Sequence, residues 1–62
     1  MSQATGQIEA EINAVIEAPT TSRWLKVALT DALGRDCVDV ANDAELLAQL
    51  LGRRCDAILR RA

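Results

Sequence analysis

Histidine and tyrosine are absent from this 62-residue sequence, so acid–base chemistry would fall to carboxylates, a single lysine and two thiols. Lys26 stands on the polar side of the helix its neighbours form, where nothing is placed to strip it of water. Cys37 follows Asp36 and precedes Asp39, an acidic setting that makes a thiol a poorer nucleophile. Cys37 and Cys55 do not form a Cys-x-x-Cys pair, and without histidine a structural zinc site lacks ligands. Oxygen ligands are more plentiful, in Asp31, Asp36, Asp39, Asn42, Asp43 and Glu45. A calcium-binding helix–loop–helix needs a central glycine and a glutamate at its twelfth position. Counted from Asp36 or from Asp39, neither residue falls where it must, so these groups read as helix caps and solvated turn charges. Gly6, Gly34 and Gly52 are too far apart for a phosphate-cradling loop. The sequence therefore assigns no catalytic residue, no cofactor and no metal ligand, and reads as that of a non-enzymatic protein.

Four arginines are the remaining candidates for binding chemistry: Arg53, Arg54, Arg60 and Arg61. The formal net charge is −2, from 7 basic and 9 acidic side chains, which argues against a generic nucleic-acid binder. The charges are unevenly placed, with four arginines and one aspartate from Gly52 onward against three basic and eight acidic groups before it. An acidic body with a basic end can stack head to tail, pair antiparallel with a second copy, or touch an anionic partner. Arg54 and Arg61 are expected to lay their aliphatic stems on neighbouring leucines and lift their guanidinium groups to water or a carboxylate. A helix-turn-helix DNA reader needs exposed donors near the start of its recognition helix. Here Asp43 and Glu45 occupy that place, so a phosphate contact would come from the arginine end instead.

These residues must be positioned by helices. From Asn42 to Arg61 apolar residues recur at helical spacing, and Asn42 with Glu45 resembles a capping box. At about 100° per residue, Leu46, Leu47, Leu50, Leu51, Cys55, Ile58 and Leu59 spread over an arc roughly twice the width of an ordinary surface helix's stripe. The reading is a helix over 43–60 that requires cover on two sides, with Gly52 costing about 1 kcal/mol against alanine. Ser22 to Leu33 reads as a second helix, over 22–33, with Trp24, Leu25, Ala28, Leu29, Ala32 and Leu33 on its apolar face. Gly34 is placed to end it in a left-handed conformation. Trp24, the sole aromatic residue, reads as a central plug at a dimer seam.

Upstream, Ile8, Ile12, Val15 and Ile16 form one helical stripe over 7–17, ended by Pro19, with residues 1–6 frayed. The same stretch alternates, which admits a strand and hence a dimeric ribbon-helix-helix DNA binder. That strand would present Glu9 and Glu11 to phosphates, the wrong sign for such binding, and alanine and glutamate favour helix. Between Asp36 and Asp43 the sequence reads as a turn or one short helical turn capped by Asp36, with Val38 and Val40 dropping into the core.

A chain of this length buries only about 60% of the surface it exposes when unfolded. Small chains compensate with disulfides, metals or oligomerisation. No secretory leader is legible in Met1 to Gln7, so two free, largely buried thiols in a reducing cytoplasm are expected. No apolar run approaches the roughly 20 residues that span a bilayer.

Elimination leaves self-association. The sequence reads as one all-α domain over 1–62, a three-helix chain forming an intertwined homodimeric helical bundle. Its self-interface would comprise Trp24, Leu47, Leu50, Leu51 and Ile58. The function read from this is a protein–protein interaction or regulatory module. The alternative is a small dimeric DNA-binding regulator or antitoxin-like protein that uses Arg53, Arg54, Arg60 and Arg61.

Overall fold

The computed structural model describes residues 3–61, and among these the chain is all-α: α1 (Gln3–Glu17), α2 (Arg23–Ala32) and α3 (Cys37–Arg61). The alternative strand over the isoleucine-rich stretch is not formed. α1 extends back to Gln3, four residues beyond its expected start, and Gly6 does not interrupt it. Glycine weakens a helix by about 1 kcal/mol without blocking it, and each added residue gains a hydrogen bond once the nucleus exists. Met1 and Ser2, expected to be frayed, lie outside the described residues.

Pro19 ends α1 as its missing N–H requires. The reversal is closed by the Ala18 N–H donating to the Val15 carbonyl at 3.3 Å and the Thr21 N–H donating to the Ala18 carbonyl at 3.2 Å. Ser22 then caps α2, its Oγ accepting from the Leu25 N–H at 3.1 Å, so this helix starts where its hydroxyl-rich entry implied. Its end differs from expectation, because no described glycine adopts a positive φ. The Gly34 N–H donates to the Asp31 carbonyl and the Arg35 N–H to the Ala32 carbonyl, each at 3.1 Å. These tight turns close the helix without a left-handed residue.

The largest correction concerns α3. Asp36 caps it, with Oδ2 accepting from the Asp39 N–H at 3.0 Å while its carbonyl accepts from the Val40 N–H at 3.0 Å. The helix then runs unbroken for 25 residues, about 38 Å at 1.5 Å per residue. Asn42 is therefore interior and its capping box is unused. No proline or glycine lies between Cys37 and Leu51, and the valine penalty of a few tenths of a kcal/mol is smaller than the cost of nucleating a second helix. Val38, expected in the core, is 63% exposed, and Val40 is half-buried.

α1 and α2 pack on each other. Their half-buried side chains include Ile12, Ile16, Lys26, Leu29 and Ala32. Lys26, expected on the polar side of its helix with nothing placed to strip it of water, is half-buried. α3 projects from this pair, and every residue from Ala41 to Arg61 is exposed. The single chain measures 49 × 28 × 18 Å with a radius of gyration of 14.6 Å, against about 11 Å for a compact domain of this length. No described residue is fully buried.

The position of the α3 cap is testable by thermal unfolding followed by circular dichroism. Asp36→Ala should cost about 1 kcal/mol through loss of the cap, whereas Asn42→Ala should be neutral or slightly stabilising. The opposite ranking would place the helix start at Asp43.

Candidate functional site: the uncovered face of α3

The residues expected to build a self-interface fall on two surfaces. Leu47, Leu50, Leu51 and Ile58 share the broad apolar face of α3, and their exposures lie between 44% and 50%. What shields them is their own helix, since among the described residues no other element covers that face. Fully burying one such side chain is worth about 1.5–3 kcal/mol. With each of the four already about half covered, leaving this face in water forgoes about 3–6 kcal/mol, on the scale of the lower end of the ~5–15 kcal/mol net stability of an ordinary domain. The expectation of cover on two sides meets a single chain whose described residues supply none.

Trp24 lies on α2 and is 61% exposed, so it is not a core plug of the single chain. It shares a shallow groove with Arg23, Val27, Ala28 and Asp31. All these residues come from successive turns of α2, so the depression runs along one helix surface and is no enclosed cleft. Beside it, Thr30 donates its hydroxyl proton back to the Lys26 carbonyl at 2.8 Å, a contact internal to the helix.

The arginines occupy the last turns of α3, with Arg60 and Arg61 in its final turn, where positive charge opposes the negative end of the helix dipole. Arg54 and Arg61 fall on one line of the helix, and Arg53 and Arg60 on a neighbouring line. Among the described residues none of the four is paired with a carboxylate. The one ion pair there joins Arg35 Nε to Asp31 Oδ2 at 2.8 Å across the end of α2. That hydrogen bond, and then the charge of Asp31, hold the Arg35 guanidinium above its ordinary range. Slight desolvation opposes this, and the charge of Asp43 adds to it.

Both thiols are free and exposed, a correction to the buried thiols that the sequence suggested. Their apolar neighbours remain uncovered too, because the face that carries them has no partner within the chain. The carboxylates of 31–45 are strung along the end of α2 and the first turns of α3. Among the described residues no group of three or more cysteine, aspartate or glutamate side chains is gathered as a metal site requires. No helix among them is long and apolar enough to cross a membrane.

Extending α3 back to Cys37 changes the site in a way the expected boundaries concealed. Asp39 and the capping Asp36 join Asp43 on the same continuous rod as the four arginines. The rod is acidic at its start, leucine-rich at its middle and basic at its end. No protein-family model, curated protein or solved structure matches the chain.

Gly52 interrupts the rod's sequence without serving a crossing inside the chain, since a Cβ there would meet nothing within 4 Å. Gly52→Ala should raise helicity and stabilise α3 by about 1 kcal/mol, measured by circular dichroism during urea unfolding. Destabilisation would mean that another chain approaches the backbone at that point.

Proposed function

We propose that this chain is a non-enzymatic, self-associating helical module whose α3 completes its core against a second copy. The dimer would be an intertwined helical bundle that presents its remaining surfaces to another protein as an interaction or regulatory unit. The observation that carries the reading is the exposure of Leu46, Leu47, Leu50, Leu51, Ile58 and Leu59, all between 44% and 68%, on one 25-residue helix. Contiguous exposed apolar surface of this kind marks an interaction site. A helix left alone in water gains little from propensity, because most helical stability in proteins comes from packing an apolar face. Trp24 would join Leu47, Leu50, Leu51 and Ile58 in the self-interface. Two free thiols suit a reducing, cytoplasmic setting. Nucleic-acid binding through Arg53, Arg54, Arg60 and Arg61 is less favoured, because the same helix carries Asp36, Asp39, Asp43 and Glu45 at its other end.

If folding is coupled to self-association, the melting temperature rises with protein concentration. Thermal melts by circular dichroism over a hundredfold concentration range should show that rise, and Leu50→Lys should remove it and lower the helix content. A concentration-independent melt for the unaltered chain would overturn the reading. A duplex DNA shift that collapses steeply as salt increases would favour the alternative.

A further inference from the structure

We propose that two copies of α3 pair antiparallel in one register, with their twofold axis passing between Ala48 and Gln49. This rests on the self-association reading above and adds to it the orientation and alignment of the partner. Asp36 and Asp43 are seven residues apart, as are Arg54 and Arg61. The pair Asp43 and Arg54 and the pair Asp36 and Arg61 share one midpoint, between residues 48 and 49. Laid against an inverted copy about that midpoint, Asp43 faces Arg54 of the second copy and Asp36 faces its Arg61. Within the chain none of these opposite charges meet, and the two arginines have no carboxylate among the described residues.

The same alignment satisfies the packing rule for antiparallel helices. Val40, Leu47, Arg54 and Arg61 recur every seven residues, as do Asp36, Asp43, Leu50 and Ala57. These two lines lie side by side, in the alternation of three and four residues that a coiled-coil seam requires. Inversion about the midpoint exchanges one line for the other at every level. Leu47 meets Leu50 at the centre, Asp–Arg levels flank the leucines, and Val40 meets Ala57 beyond them. On one edge of the seam Asp39 lies near Arg60 of the second copy, a further opposite-charge pair. On the other edge Leu51 and Ile58 extend the apolar surface. Gly52 falls on the outside.

A parallel, in-register dimer would put Asp43 against Asp43, Arg54 against Arg54 and Arg61 against Arg61. Like charges at such positions are disfavoured, so the rod's charge order selects the inverted partner. The outer levels, Asp36 with Arg61 and Val40 with Ala57, exist only because the helix begins before Asp43.

Nitroxide labels on the native thiols test the orientation by pulsed electron resonance on the full chain. With Cys55→Ala, labels on Cys37 should lie about 35 Å apart across the dimer. With Cys37→Ala, labels on Cys55 should lie about 20 Å apart. Two distances both near 10 Å, the spacing of packed helix axes, would overturn the antiparallel arrangement while leaving self-association standing. Loss of dimer in the unlabelled parent would instead sink the reading beneath it.

Register is tested by charge exchange, with the dimer constant read by sedimentation. Asp43→Arg and Arg54→Asp should each weaken the dimer roughly tenfold, and the double exchange should restore it to within a few-fold. Failure of the double exchange to recover, with helicity unchanged, would refute the Asp43–Arg54 pairing.

Discussion

An α-helix with a broad apolar face must lay that face against something, and among the described residues of this chain α3 finds nothing to lay it against. Leu47, Leu50, Leu51 and Ile58 remain about half exposed, shielded only by neighbouring turns of the same helix. The other features of the structure follow from this. α1 and α2 are too short, at 15 and 10 residues, to cover a rod about 38 Å long. They pack on each other and leave α3 projecting, so the chain is elongated, with a radius of gyration of 14.6 Å. A fold of this kind concentrates its unsatisfied hydrophobic surface on the element best suited to pair with another helix.

Electrostatics gives that surface a direction. The rod begins with Asp36, Asp39 and Asp43 and ends with Arg53, Arg54, Arg60 and Arg61. Each end complements its own helix dipole, as acidic groups near the N-terminus and basic groups near the C-terminus must. The same distribution makes one end of a copy attractive to the opposite end of another. Apolar burial would supply most of the affinity, and the charges would supply the alignment. Because the leucines sit at the centre and the charges outside them, salt should affect the choice of register more than the existence of the contact.

Helix identity was legible in the sequence wherever local chemistry was decisive. Pro19 marked the end of α1, and Ser22 marked the cap of α2. The boundaries of α3 were not legible, because Asn42 with Glu45 and Asp36 with Asp39 offer similar capping signals and only one can be used. The structure uses the earlier one because no strong breaker separates them, so the helix nucleated at Asp36 continues through Asn42. That extension also moved Val38 from an expected core position to the surface. Gly34 misled for a related reason: a glycine after a helix permits a left-handed turn without requiring one, and consecutive tight turns closed α2 instead. For the candidate interface, the leucines and arginines were visible as types and spacings. Of the acidic half of the pattern, Asp43 was visible and Asp36 and Asp39 were not, because they precede the expected helix start. The exposure of the thiols is not legible in the sequence, because an apolar arc implies burial only where another element covers it.

Whether a second copy covers α3 is decided by the molar mass in solution. Light scattering across a dilution series, at low and at high salt, should return twice the 6.7 kDa chain mass over the upper part of the series at both salts. A mass of 6.7 kDa at every concentration would contradict the account, since the leucine face of α3 would then stand uncovered in solution or belong to a different partner.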